Sequence, residues 1–316
     1  MTGYVTDAAG VRWQLPNLLS WRLDYTAGVP CDSFWLRCTW DGNNTTRPGD
    51  WVSFSAWHEG EQVFSGVVDE CEVTLSGQGR LLEVSGRGLA ARLLDNEAMG
   101  QDYLSATQAD IIQDHVTPYG IQVAPGANLP PVSRFSVATG SSEWSVIYEF
   151  ARYYGGVAPR FDRQGRLVLT GWKDSGEKLV GDGVPVTALS CRDRRYGVLS
   201  QVLVRDRWSG QVEAIDNRNF LSRGGRARRI ITMPERSTYQ AMRYTGEFQL
   251  KKSASELQRL EITVAEAFCA WPGDLVRVQR SEWDLNGLYR AAQVTVGMDE
   301  GGYWSRLELA DPDFTV

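Results

Sequence analysis

Few side chains in this 316-residue chain are of types that make or break bonds, and their spacing sorts them quickly. The only two histidines, His58 and His115, stand far apart. His58 falls in a hairpin turn beside Glu59 and Glu61, and His115 ends a short helix, where the helix dipole favours a cation. Neither has a second His or a Cys at ligand spacing, so zinc ligation is not expected. Neither G-x-S-x-G nor H-E-x-x-H occurs. The cluster Asp69, Glu70, Glu72 is the nearest approach to a glycosidase carboxylate pair. On a strand Glu70 and Glu72 share a face, which reads as solvated, or as lining a channel where like charge repels phosphate and lets DNA slide. No catalytic, cofactor or metal site is expected.

The run from Arg218 to Arg229 is the one concentrated positive segment: Arg218, Arg223, Arg226, Arg228 and Arg229 surround Gly224-Gly225. An RGG-like segment of this kind binds nucleic acid in some proteins. On a chain with 33 Lys plus Arg, 39 Asp plus Glu and a net charge of -6, a basic hairpin tip reads instead as a contact with an acidic neighbour. The five cysteines (Cys31, Cys38, Cys71, Cys191, Cys269) are odd in number and scattered in apolar, strand-like text, so buried free thiols are expected. Of twelve tryptophans, six (Trp13, Trp21, Trp35, Trp40, Trp51, Trp57) fall in the first 60 residues. They alternate with polar partners, as core or interface residues do, although exposed tryptophans would stack on sugars.

The elements that position these groups are mostly strands. Gly49-Asp50 opens a meander: Trp51 to Trp57 with Val52, Phe54 and Ala56 on one face, a turn at His58 to Gln62, strand from Val63 to Leu75, a turn at Ser76 to Gly79, and strand from Leu81 to Ser85. Val67, Cys71, Val73 and Leu75 share one parity. Short strands precede it, Gly3 to Thr6, Val11 to Leu15, Leu18 to Tyr25 and Phe34 to Trp40.

Helical text follows: a turn at Gly86 to Asp95, a helix to Val116 entered through a capping box at Ser105 to Gln108, and a strongly apolar helix from Ser142 to Tyr154, left at Gly155-Gly156. Ala158 to Phe161 and Arg166 to Trp172 read as a hairpin. Strands return at Val198 to Asp206, Gln211 to Ile215, Arg229 to Met233, Glu247 to Lys251 and Leu260 to Ala265, with only a short, weakly patterned stretch at Ser237 to Thr245.

Near the C-terminus the meander recurs from Gly273-Asp274. An aromatic opens the second strand 14 residues after Asp50 (Phe64) and 15 after Asp274 (Tyr289), and Leu82 and Val84 find counterparts in Leu307 and Leu309. Two copies of one small β-domain are therefore read, at 1–96 and 188–316, around an α/β insertion at 97–187. Length favours several domains. The N-terminus lacks a basic region followed by an apolar run, and no window approaches about 18 uninterrupted apolar residues, so a soluble chain made in the cytoplasm is expected.

The succession of parts resembles a known family. VFSGVVDE followed by LLEVSGRGLAARLLD (63–95), SSEWSVIYEFARYYGG running into PRFDRQGRLVLTGW (141–172), and PGDLVRV (272–278) resemble the baseplate hub proteins of contractile phage tails and tailocins, including the late control protein D-like tail hubs. The resemblance implies a mainly β fold with an α/β insertion, two tube-like β-barrel or sandwich domains, and a homotrimer joining the sixfold tail tube to a threefold central spike. It implies tape-measure and other baseplate proteins as neighbours, passage of DNA through the lumen without specific binding, and a place in a virion or phage-like particle without membrane insertion. Larger hubs carry a longer helix before the last meander, which Ser237 to Thr245 does not supply. The rival readings are a tail-associated carbohydrate- or receptor-binding module and, behind it, a cell-wall hydrolase.

Overall fold

Pro48-Gly49-Asp50 forms a single 3₁₀ turn whose Asp50 N–H meets the Arg47 carbonyl, and the chain leaves it extended at Trp51. The computed structural model describes residues 1–27, 32–42, 46–77, 79–172, 176–233, 238–254 and 258–312. They divide into two compact units: Met1–Lys173 with Ala265–Cys269 and Val294–Ser305, and Asp174–Val264 with Ala270–Gln293 and Arg306–Val316.

In the first unit β1 (Thr2–Asp7), β2 (Arg12–Gln14), β3 (Leu18–Thr26) and β4 (Ser33–Thr39) precede the meander β5 (Trp51–His58), β6 (Glu61–Ser76) and β7 (Gly79–Gly88). The strand order is β3-β4-β7-β6-β5-β1-β2. Alternation sets the faces, with two departures from the sequence reading. Thr6 faces Ser53 and Asp7 faces Trp51, so Val52 is an extra, bulged residue; it turns outward while Trp51 turns in. In β6, pairing with β5 stops at Val67, and the strand continues along β7 to Ser76 with Val73 and Leu75 exposed. Phe34, Phe54 and Phe64 form the centre, Phe34 and Phe54 stacking at 4.1 Å between ring centroids.

Glycine is required where the strands cross closely. A Cβ on Gly86 would lie 2.0 Å from the Val67 carbonyl oxygen, and one on Gly66 would lie 2.1 Å from that of Arg87.

The helical segment of this unit holds α1 (Ala91–Leu94), β8 (Gln101–Ala106), α2 (Gln108–His115), β9 (Val132–Val137), α3 (Glu143–Tyr148), and the short pair β10 (Arg160–Phe161) and β11 (Leu167–Val168). The capping box exists but two residues later than the sequence suggests: Thr107 caps, Asp110 returns the bond, and Ser105 is still in β8. Serine followed by Thr107 gives two candidate caps, and the pairing of β8 with β9 claims the first. Ser142 caps α3, which widens into a π-helical turn at Glu149–Tyr154 before Gly155. Ile111, Phe135, Ile147, Phe150 and Leu167 make a closed core of their own.

The second unit contains β12 (Glu177–Val180), β13 (Val186–Asp193), β14 (Gln201–Asp206), β15 (Val212–Asp216), α4 (Arg218–Ser222), β16 (Arg228–Met233), α5 (Tyr239–Ala254), β17 (Gln258–Val264) and β18 (Leu275–Arg280). It shares β19 (Leu285–Asp299) and β20 (Gly302–Ala310) with the first unit. The order is β12-β18-β19-β20-β17-β13, with a separate sheet β15-β14-β16.

The helix α5 covers one face of that sheet and corrects the sequence reading. The expected strand Glu247 to Lys251 lies inside it, and the stretch expected to be short is a 16-residue helix; Ser237 lies outside the described residues. Gly246 explains the misreading: it lowers helix propensity, yet a Cβ there would lie 2.4 Å from Ile215 Cδ1. Among the described residues no helix is long and apolar enough to cross a membrane.

Candidate functional site

The acid–base groups that do meet lie in the helical segment. Asp110 and Thr107 fix the start of α2, and its last residue, His115, is carried into the core at 4% exposure. There its Nδ1 stands 2.6 Å from Glu143 Oε2, on the first turn of α3. Glu143 Oε1 accepts from the Tyr119 hydroxyl at 2.7 Å. On the other side of the imidazole, the Tyr103 hydroxyl lies 3.0 Å from Nε2 and donates to Asp114 at 2.8 Å.

The bond to Glu143 pushes the Tyr119 phenol up to about 12, and burial with the Asp114 bond holds Tyr103 well above the usual phenol range. Every polar atom of the pair is engaged, and His115 and Glu143 are buried among core residues. The arrangement ties α2, α3, β8 and the 117–119 turn together; it offers no open face to a substrate. Sequence reasoning placed His115 correctly at the helix end but not in the core, because Glu143 is 28 positions away and Glu at a helix start reads as a solvated cap.

The acidic cluster is split. Asp69 is the bulged residue of β6, between Val68 facing Gly86 and Glu70 facing Ser85, and its carboxylate takes a two-pronged bond from Arg87 (2.7 and 3.0 Å). Arg87 also clamps Asp95 at 2.7 Å and holds that carboxyl below the usual range. Glu70 and Glu72 share a face, as the alternation requires, and Glu72 stands directly opposite Glu83 on β7. His58 closes β5 with its ring on Phe268 at 4.8 Å, and burial lowers its pKa. Among the described residues no three His, Cys, Asp or Glu side chains gather to hold a metal.

The five arginines are not a hairpin tip. β15 passes into α4, then a turn at Gly224-Gly225, then β16, which runs parallel to β14; a parallel return needs this crossover. Arg226 bonds the carbonyls of Leu221 and Gly225, and Arg229 reaches Gln249 of α5 at 3.0 Å. The Arg223 carbonyl accepts from Arg195. Arg218 and Arg228 are exposed, and neither makes a side-chain hydrogen bond or ion pair among the described residues. All five arginines are exposed; Arg226 and Arg229 are tied down by hydrogen bonds, and Arg218 and Arg228, among the described residues, are not.

Trp21, Trp40 and Trp51 are buried, and Trp13, Trp35 and Trp57 are half-buried. Of the cysteines, only Cys38 is fully buried; Cys71 and Cys269 are half-buried, Cys191 is exposed, and Cys31 lies outside the described residues. The expectation of buried thiols fails at Cys191 because neither face of its strand, β13, is covered by the rest of the described chain.

A mainly β chain with this inserted helical core has the fold of phage tail proteins. It is similar over 99% of its length to the tail protein of Neisseria meningitidis MC58 (TM-score 0.78, 17% identity, 98% of that chain). It is as similar to the prophage MuSo2 43 kDa tail protein of Shewanella oneidensis (TM-score 0.77, 19% identity, 99% and 98% covered). The E. coli c3393 protein, a type VI secretion component, matches with TM-score 0.62 and 12% identity over 94% of this chain and 74% of that one. No curated protein matches. Residues 90–171 match the family described as baseplate hub protein gp44-like, second domain.

Proposed function

We propose that this chain is the structural hub of a contractile phage tail or phage-like particle, three copies forming a ring that adapts a sixfold tail tube to a threefold spike. One observation carries the reading. In chain order, β3 and β4 followed by β5, β6 and β7 assemble as β5-β6-β7-β4-β3; β13 and β17 followed by β18, β19 and β20 assemble as β18-β19-β20-β17-β13. Both first strands are irregular at the same place: Leu18 and Ser20 face Cys38 and Arg37, and Val186 and Ala188 face Val264 and Thr263, with one residue bulged between.

Shared order and shared bulge support duplication of one β-unit, and with it the division 1–96, 97–187 and 188–316. A threefold oligomer meets a sixfold partner evenly when each subunit offers two near-equivalent surfaces. On this reading Glu70 and Glu72 line or flank a lumen through which DNA passes unbound, and Arg218, Arg223 and Arg228 meet acidic surfaces of tube, spike or other baseplate proteins. Arg226 and Arg229, also exposed, brace the same crossover through their bonds to Leu221, Gly225 and Gln249. No bond is made or broken by the protein.

Native mass spectrometry with negative-stain imaging of the full chain tests the proposal. A trimeric ring with an open centre is expected; a monomer at every concentration up to the micromolar range, combined with hits on a glycan array, would replace it with a carbohydrate-binding module.

A further inference from the structure

We propose that the free edge of β6, Asp69–Ser76, pairs with β13 of a second copy, Glu72 meeting Arg192, and so repeats between chains a joint already made within one. This rests on the ring reading above and names its strands. Within one chain β19 lies beside β3, and the Thr295 hydroxyl donates to Asp24 Oδ1 at 2.8 Å. In the duplicated order, β6 stands where β19 stands, and β13 stands where β3 stands.

Residues follow the strands. Counting back from the turn that ends each long strand, Cys71, Val73 and Leu75 correspond to Val294, Val296 and Met298, and Glu72 to Thr295. Counting from the bulge, Arg192 corresponds to Asp24. The hydroxyl–carboxylate contact of the joint within the chain thus becomes carboxylate–guanidinium in the joint between chains.

Exposure points the same way. Val294 and Val296 are 0% exposed, whereas Val73 is 46% and Leu75 74% exposed. β13 ends its sheet, and Asp69–Ser76 of β6 lies beyond its pairing with β5, so each presents an unpaired backbone edge among the described residues. Exposed edges are ordinarily guarded by charge. Here the guards are opposite: Glu72 faces Glu83 across β6–β7, and Arg192 faces Arg259 across β13–β17.

Glu83 is answered by Arg37 (3.2 Å) and Arg259 by Glu308 (2.8 Å), while Glu72 and Arg192 make no ion pair among the described residues. Like charges directly opposite destabilise a pair of strands, and a second copy relieves both clashes at once. The apolar parities agree too, Leu189 and Cys191 of β13 continuing the face of Cys71, Val73 and Leu75. The contact is head-to-tail, so copies either close a ring or run on as a filament.

Full-length chains carrying Glu72→Arg, Arg192→Glu, or both are compared with the wild type by native mass spectrometry across a dilution series, with circular dichroism confirming the fold. Each single reversal should weaken self-association about tenfold or more, and the double reversal should restore it. An equimolar mixture of the two single variants should pair alternately, giving even-numbered species and no trimer. Single reversals that leave assembly unchanged, or a double variant as weak as the singles, would overturn the strand assignment while leaving a trimeric hub in place. A monomeric wild type would instead remove the ring itself.

Discussion

His115 Nδ1 and Glu143 Oε2 lie 2.6 Å apart inside the helical segment, joining the last residue of α2 to the first turn of α3. A hydrogen-bonded imidazole–carboxylate contact this deep is costly to halve, because removing one partner strands the other's polar atoms away from water.

Glu143→Ala leaves the imidazole and the Tyr119 hydroxyl without their acceptor, and a loss of about 3 kcal/mol is expected in this segment. The double variant His115→Leu/Glu143→Leu should be less destabilised than Glu143→Ala. Hydrogen exchange of α2 and α3, which reads this segment separately from the rest, measures both. Equal protection in the wild type and the alanine variant would show that the pair holds nothing together.

Gly86→Ala tests the crossing of β6 and β7. With a Cβ 2.0 Å from the Val67 carbonyl and 2.7 Å from Phe34, the backbone must move, and about 2–4 kcal/mol of stability should go with it. Gly49→Ala meets nothing within 4 Å and should be nearly neutral. Thermal unfolding of the two variants side by side shows whether the difference follows space rather than glycine content.

Local signals carried much of this fold, and they failed where distant contacts decide. Alternation found β5, β6 and β7, and the Gly-Asp turns found both meanders, because a half-buried strand writes its burial into every second residue. It could not find the bulge at Val52, which depends on β1, or the exposure of Val73 and Leu75, which depends on where β5 stops. The His115–Glu143 contact left no local trace, since neither residue marks its partner. The arginine run was legible as charge but not as structure: the parallel pairing of β16 with β14 turns a presumed hairpin tip into a helical crossover.

Asp32 gives the chain a pH dependence with a definite sign. Burial pushes its carboxyl up to about 7, Asp24 adding to the shift and the Thr26 N–H, at 2.9 Å, opposing it. An unfolded aspartate titrates near about 3.9, so between those values the folded chain holds a proton that the unfolded chain has released. Stability attributable to this group is therefore complete below about 4, falls as pH rises toward 7, and stays low above. Asp32→Asn keeps an acceptor for Thr26 and removes the titration. It should raise stability at pH 8 by about 1–2 kcal/mol and change little at pH 4. Parallel melting curves at the two pH values check it, and an equal shift at both would assign the effect to packing instead.

Gly246→Ala sets two rules against each other within α5. Alanine favours an exposed helix interior over glycine by about 1 kcal/mol, which alone would make the variant more stable. Yet residue 246 is buried against the sheet, where a Cβ would meet Ile215 Cδ1 at 2.4 Å and Val204 Cγ2 at 3.2 Å. Both neighbours belong to a small core with Met242 and Leu250, whose side chains have little room to withdraw. Overpacking of this kind costs about 1–3 kcal/mol, so contact should outweigh propensity and the variant should be less stable. Pairing it with Ile215→Val, which removes the Cδ1, should recover part of the loss in thermal unfolding. No recovery would mean that the helix backbone, rather than that methyl group, sets the distance between α5 and the sheet.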